Sequence, residues 1–596
     1  MRLLWNEIEK NAMAFGKRWR GATSEKQDGQ GFMEGLLRVF STQDARTVGT
    51  FEEKTKIESS TKWIDYLWRG KIAIEMKSKG ENLTDALEQL REYMHSLAPE
   101  DVPDLWVVSD FENIWLSRRS TNDMWKFKTK DLRKHVRKFA DLAGYETERD
   151  RGDGLVLDSK AAEKMAKLHD GLKSFGYDGH NLELYLVRLL FCMFADDTNI
   201  FAKDSLYRYV EQTKEDGSDL SFHIFQLFEI LNTPDDVRAK RPHLKALYDN
   251  FRYINGTLFE NPLPPAEFNQ KMRSLLMDCI DFDWSSISPA IFGAMFQGVM
   301  DDKQRRELGA HYTDEDNINK LINPLFMDEL WAEFERSKTS EQALDAFHNK
   351  IANLKFLDPA CGCGNFLIVA YIALRKLELA ILEMKTNVHQ MRLDAAQMLK
   401  VNITQFYGIE LENFPCQIAQ VGMWLADHQM NMKVWDMFAI PHYNLPLKQT
   451  ATIIHANALR IDWETITCKG GNLPPEKVDY ILGNPPFLGA RIMNAQQKED
   501  MNHIFGKVKG IGNLDYVTAW YKKAADYMES TRIKTALVST NSISQGEQPA
   551  ILWKPLMKRG IYINFGVPTF RWDNEAKGKA AVHCVIIGFS YIKTEP

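Results

Sequence analysis

Cysteine is scarce and follows no pairing pattern. Seven are spread through 596 residues, an odd number without framework spacing, which excludes a disulfide-stapled scaffold and points to a reducing compartment. Long apolar runs are missing too. None approaches the roughly 18 residues that a membrane-spanning helix needs, and the opening MRLLWNEIEKNAMAFGKRW is broken by charges too often for a signal peptide. Nor does one sign of charge dominate. With 75 Lys and Arg against 81 Asp and Glu the net charge is -6, so no uniformly basic surface exists and any nucleic-acid contact depends on local patches. What remains is an ordinary globular composition, 44% hydrophobic and 26% charged, expected in the cytoplasm with no membrane partner. A single core stops growing near about 250 to 300 residues, so several domains are expected.

Two stretches carry the chemistry. Leu354 to Phe366, LKFLDPACGCGNF, reads as a buried strand that breaks at Gly362 and Gly364 and opens a long helix from Asn365. Backbone without side chains lets a cofactor approach closely there. Ile481 to Phe487, ILGNPPF, reads as a second apolar strand ending in Asn484-Pro485-Pro486-Phe487. Its prolines stiffen the backbone and leave carbonyls with no ladder partner. Asn484 and the Pro485 carbonyl can accept hydrogen bonds from an amino group, and Phe487 offers a flat face to a base. Between them, Phe406 to Glu410 reads as the next strand of a doubly wound sheet, and an acid ending that strand is where such folds grip ribose hydroxyls. A metal role for Cys361 and Cys363 would require a second Cys or His pair at ligand spacing, which is missing.

DPACGCGNF resembles the S-adenosylmethionine-binding motif of class I DNA methyltransferases, and NPPF the catalytic motif of their amino-methylating members. The resemblance implies a Rossmann-like α/β domain over residues 301–596, with Asp358, Pro359, Ala360, Gly362, Gly364, Asn365, Phe366 and Glu410 around S-adenosylmethionine. It implies catalysis by Asn484, Pro485, Pro486 and Phe487, and Asn at the first position implies adenine rather than cytosine as the target. GAHYT resembles the segment that closes over the methionine part of the cofactor, which adds Tyr312 and Thr313. HANAL resembles the adenine-ring-contacting motif, which adds Asn457 and Ala458, although an acid often stands where Asn457 does. Pro415-Cys416-Gln417 matches the nucleophile motif of cytosine carbon-5 methyltransferases, but it opens the helix after the second strand instead of ending the fourth. Cys416 is therefore expected to be a buried thiol.

The N-terminal part has its own pattern. Helical periodicity from Trp5 to Phe40 gives way to Trp63 to Trp68 and Lys71 to Lys77, joined at Arg69-Gly70 as a hairpin. Strand alternation puts Glu75 and Lys77 on one face with Met76 in the core, and the hairpin brings Asp65 across. Two carboxylates suit Mg²⁺, and Lys77 can orient or deprotonate a water and offset charge on a phosphate. This resembles the PD-(D/E)xK nuclease motif, with Gln89 and Tyr93 at the Q-x-x-x-Y spacing of some members, and implies an α/β domain over residues 1–150. Strands from Leu105 to Asp110 and Asn113 to Arg118 continue the sheet. The basic run from Trp125 to Lys138 is either a phosphate-contacting edge or a solvated edge. Residues 151–300 read as an all-α spacer, in which Asp196 and Asp197 cap a helix end rather than bind metal.

The whole succession, including WNEI, LGAHYT, DPACGCGNF and GNPPF, resembles the MmeI-like, type IIL restriction-modification enzymes. That implies methylation of a flipped-out adenine in a specific double-stranded DNA site and Mg²⁺-dependent cleavage of unmodified DNA, in a nucleoid-associated protein. A target-recognition domain follows the last methyltransferase strand in that family, so one is expected beyond Pro596 or on a separate subunit. The rival expectations are a methyltransferase with a structural N-terminal part, and a DNA-bound scaffold without turnover.

Overall fold

A computed structural model describes residues 3, 5–41, 44–57, 60–94, 97, 101–119, 123–143, 153–254, 258–290, 315–385, 399–438, 450–468, 471–572 and 582–593. The chain divides into two compact units: Met1–Ser159 with Phe201–Tyr209 and Ile280–Asp283, and the remainder through Pro596. Among the described residues no helix is long and apolar enough to cross a membrane.

The first unit is built on a six-stranded sheet of β1 (Thr50–Ile57), β2 (Ser60–Trp68), β3 (Ile72–Met76), β4 (Leu105–Ser109), β5 (Asn113–Arg118) and β6 (Asp123–Lys128), in that order. All neighbours are antiparallel except β3 and β4, and that parallel pair is joined through the helix Leu83–Met94, as parallel neighbours require a crossover. One face carries Ile72, Ile74 and Met76 against Ile8, Phe32, Leu36 and Phe40 of the two N-terminal helices. The other carries Ile64, Leu67 and Ala73 against Leu83, Leu87, Leu90 and Tyr93. The basic run forms β6 and the turns beyond it. Three of its charges have local partners: Lys126 Nζ lies 3.6 Å from the Trp115 ring centroid, Lys138 Nζ 4.0 Å from that of Trp125, and Lys128 pairs with Glu112 at 3.2 Å.

The second unit begins with helices. Gly179–Asp197 is buried from Leu184 to Asp196, so its hydrophobicity runs all round. Asp197 ends its helix, and its Oδ2 accepts the Trp284 N–H at 2.8 Å where the 3₁₀ turn Trp284–Ser286 begins. The seven-stranded sheet follows, made of β7 (Phe356–Asp358), β8 (Phe406–Glu410), β9 (Thr452–His455), β12 (Tyr480–Gly483), β13 (Lys534–Thr540), β14 (Tyr562–Trp572) and β15 (Val582–Ser590). A small hairpin of β10 (Thr467–Cys468) and β11 (Gly471–Asn472) stands apart. The order is β14-β15-β13-β12-β7-β8-β9, parallel from β13 to β9 and antiparallel in the last pairs.

The winding reverses between β7 and β12. That switch point leaves a crevice at the carboxyl ends of the two strands. The middle strands are tied side by side by stacked rings, Phe356 on Phe406 at 4.8 Å and Phe356 on Tyr480 at 5.4 Å between centroids. The helices Asn365–Lys385 and Asn413–Phe438 lock together through buried Arg375, which reaches Asp427 at 3.2 Å and Asn431 at 2.9 Å.

Candidate functional site

The switch point brings together Asp358, the Gly362–Gly364 turn, Glu410 and the loop that starts at Asn484. Asp358 ends β7 at 1% exposure, with Oδ1 accepting the Ala360 N–H at 3.0 Å and Oδ2 buried without a hydrogen-bond partner among the described residues. Burial, with the Glu410 charge adding to it, pushes this carboxyl up to about 8. At Gly483, ending β12, a Cβ would collide with Asp358 Oδ1, so only glycine lets the two strand ends lie this close.

The Gly-rich turn takes its shape from two left-handed residues, Gly362 at φ +54 and Gly364 at φ +84. A Cβ on Gly364 would meet that of Ala419 at 2.9 Å, whereas one on Gly362 would find nothing within 4 Å among the described residues. Gly364 thus serves packing, and Gly362 is open on the side of the described residues. The Gly362 N–H donates to Glu410 Oε2 at 2.9 Å and the Glu412 N–H to Oε1 at 3.0 Å, and the Leu411 N–H is a further donor to the same carboxylate; together they aim it. Burial raises the Glu410 carboxyl. Asn365 opens the helix, Phe366 is buried in the core, and the Pro359 carbonyl accepts from Trp520 Nε1 at 3.0 Å.

Asn457 is fixed within its turn: Oδ1 accepts the Leu459 N–H at 2.9 Å and Nδ2 donates to Asp500 at 3.2 Å, beside buried Ala458. Asp500, which the sequence did not single out, is the acid of this corner and also accepts from Tyr516 OH at 2.8 Å. Tyr312 and Thr313 lie outside the described residues.

The Asn484-Pro485-Pro486-Phe487 loop leaves β12 at the same end, with Asn484 half-buried and Phe487 buried. Its far side is anchored by Asp515, another residue the sequence reading missed. Asp515 Oδ1 accepts from the N–H groups of Leu488 at 3.0 Å and Val517 at 3.3 Å, its Oδ2 accepts from Thr540 Oγ1 at 3.3 Å, and the Leu488 carbonyl accepts the Tyr516 N–H at 2.9 Å. Cys416 is a buried thiol whose Sγ points at the Glu410 carbonyl 3.8 Å away, and burial pushes it up to about 12. No thiolate is available there near neutral pH.

In the first unit, β2 and β3 pair only from Tyr66 to Trp68 and then part. Where the ladder lapses, the Asp65 carboxylate takes the place of a carbonyl, and Oδ2 accepts the Met76 N–H at 2.7 Å. Glu75, 2% exposed, turns to the opposite face from Met76; its Oε1 meets Lys77 Nζ at 2.9 Å and its Oε2 is buried without a partner. Burial, reinforced by the Asp65 charge, pushes Glu75 up to about 7 and raises Asp65 as well. Burial alone would depress Lys77, but Glu75 outweighs it and holds the ammonium charged. Gln89 Nε2 donates to Tyr93 OH on the helix covering this face. Two carboxylates that resist ionising together, one of them with an oxygen left unpaired among the described residues, form a place for a cation. No larger cluster of His, Cys, Asp or Glu able to hold a metal occurs among the described residues.

Three family models cover the chain in succession: the MmeI N-terminal domain over residues 10–174, the MmeI helicase spacer domain over 180–259 and the MmeI DNA-methyltransferase domain over 334–596. DNA methyltransferase A of Bacillus subtilis (strain 168) is 37% identical over 535 residues, covering 88% of this chain and 59% of that protein. The solved structure of the type IIL restriction-modification enzyme MmeI in complex with DNA is 54% identical, with a TM-score of 0.68, over 73% of this chain and 57% of that one. The chain thus spans a little under three-fifths of the length of these relatives. With three MmeI domains in order and the MmeI structure superposing on them, the chain belongs to the MmeI family of type IIL restriction-modification enzymes.

Proposed function

We propose that the second unit methylates the exocyclic amine of adenine in double-stranded DNA with S-adenosylmethionine, and that the first unit hydrolyses unmodified DNA with Mg²⁺. In this reading residues 1–150 are the nuclease, 151–300 the spacer and 301–596 the methyltransferase. The observation that carries it is the meeting, at one switch point, of an open glycine turn, an aimed carboxylate and the NPPF loop.

The residues present fit the cofactor. The buried Asp358 Oδ2 suits a cationic donor group, the space beyond Gly362 admits a ligand against the backbone, and the aimed Glu410 carboxylate suits ribose hydroxyls. When bound, S-adenosylmethionine supplies an electrophilic methyl group on sulfonium. The chain's own residues do the rest. Asn484 and the Pro485 carbonyl accept the two N–H bonds of an extruded adenine and turn its nitrogen lone pair along the line of attack, while Phe487 stacks on the ring. Cys416, neutral and turned to a carbonyl, takes no part.

In the first unit Asp65 and Glu75 would hold Mg²⁺, which supplies Lewis acidity to a water and a phosphate oxygen. Lys77 orients that water and offsets phosphate charge. Incubation of this chain with radiolabelled cofactor and unmethylated DNA, followed by hydrolysis to nucleosides, tests the first activity. Label in cytosine rather than adenine would overturn the base assignment.

Glu410→Ala should weaken cofactor binding by about 1 to 3 kcal/mol, the scale of hydrogen bonds lost to a charged group, as read by calorimetry. Unchanged affinity would refute the ribose contact. Asp515→Ala frees the Leu488 end of the NPPF loop, and a shift of about 1 Å at the reacting groups costs on the order of 100-fold, so methyl transfer should fall by that factor at unchanged cofactor affinity. Asp515→Asn, which keeps an acceptor oxygen, should recover most of the rate. If the alanine variant transfers methyl groups normally, the anchor is dispensable.

A further inference from the structure

Ile492 stands five residues past Phe487 and is the most exposed large apolar side chain among the described residues, at 71%. It does not hang from a loose loop. Leu488 is tied by its N–H to Asp515 and by its carbonyl to Tyr516, the Ile492 N–H closes a turn onto the Gly489 carbonyl at 3.0 Å, and Met493 is 6% exposed. Asn494 then caps the helix Ala495–Phe505 with a reciprocal capping box to Gln497. The fold therefore spends a set of well-made anchors to hold Ile492 and its neighbour Arg491 out in water beside the loop expected to receive the target base.

The charge around the turn suits a phosphate backbone. Arg491 is exposed, and the other end of the same helix runs into exposed Lys507 and Lys509. Eleven helical residues span about 16 Å, close to five base-pair rises, so a duplex lying along the helix meets cations at both ends. The acids on the helix are tied down in part, since Glu499 pairs with Arg460 at 3.5 Å and Asp500 is buried.

We propose that the Gly489–Ile492 turn is a DNA wedge: Ile492 enters the base stack next to the target adenine, and Arg491 grips the adjoining phosphate. An extruded base leaves a gap whose unstacking has to be compensated, and branched apolar side chains inserted at a base step do this in other DNA-bending proteins. This rests on the adenine-methylation reading above, and it adds the element that makes the base leave the helix.

Two measurements decide it. In Ile492→Cys, the new thiol should react quickly with maleimide in the free chain, against a wild-type blank, and slow at least about fivefold when a mixed-sequence duplex is bound at low salt, where phosphate contacts are strongest. Equal labelling with and without duplex overturns the proposal whether or not methylation is detected. In Ile492→Ala, methyl transfer to duplex DNA should fall about tenfold or more, yet stay within about threefold of wild type on the same sequence with target adenines opposite abasic sites, where no pairing opposes extrusion. An equal loss on both substrates would assign Ile492 a structural role and sink the wedge. A wild-type chain that methylates neither substrate would count against the adenine reading, leaving the thiol footprint to decide the DNA-facing surface.

Discussion

Asn484→Ala is expected to reduce methyl transfer by about 10³-fold or more while S-adenosylmethionine binds with unchanged affinity. Asn484 follows Gly483 at the end of β12, and its neighbours are fixed on both sides, by the Gly483–Asp358 approach and by the Asp515 anchor on Leu488. A preorganised acceptor aimed at charge developing on a reacting amine typically carries losses of 10² to 10³ when removed, and lost alignment of the attacking nitrogen adds to this. The proposed cofactor contacts sit on the other strand ends, at Asp358, Gly362 and Glu410, so they should survive. Tritium incorporation into DNA measures the first quantity and calorimetry the second. Cys416→Ser should change neither, because the thiol is neutral and turned away. A dead serine variant beside an active Asn484→Ala would reopen the cytosine mechanism.

Lys77→Ala is expected to stop Mg²⁺-dependent DNA cleavage and leave methylation intact. The lysine is an ion-pair partner on the open side of the carboxylate pair, not part of either apolar face of the sheet, so its loss should spare the fold. Nicking is read at high protein and low salt, where non-specific phosphate contacts hold DNA long enough to be cut. Persistent metal-dependent nicking in a clean Glu75→Ala, Lys77→Ala double variant would remove this centre from consideration, as would loss of methylation in the same protein.

The metal should also compete with a proton. Burial and the Asp65 charge push Glu75 up to about 7, so below that pH each Mg²⁺ bound must displace its proton, and above it the carboxylate is already free. Mg²⁺ affinity should therefore fall about tenfold per pH unit below 7 and level off above 8. Calorimetry in buffers of different ionisation enthalpy should show about one proton released at pH 6 and almost none at pH 8. An affinity independent of pH would show that Glu75 is not a ligand.

How much of this was legible in the chain depends on the reach of each interaction. The glycine turn, the strand Phe406–Glu410, the NPPF loop and the hairpin bearing Asp65, Glu75 and Lys77 are set by neighbours within a few residues, through backbone freedom at glycine, stiffness at proline and the two-residue strand period, so the sequence alone determined them. Strand β1 escaped notice because charges interrupt its alternation. Strand β14 did because Gly566 and Pro568 read as breakers; it tolerates them at the sheet edge, where no outer ladder needs the missing N–H and the register slips between Val567 and Phe570.

The remaining decisions belonged to the tertiary structure, because each joins groups that local pattern cannot relate. Asp515 finds the Leu488 N–H across 27 residues, the Gly362 N–H finds Glu410 across 48, and Asn457 finds Asp500 across 43. Buried polar groups must find partners wherever the packed chain presents them, so the residues that can serve this chemistry were named by sequence, and what holds and aims them was decided only when the sheet closed around its switch point.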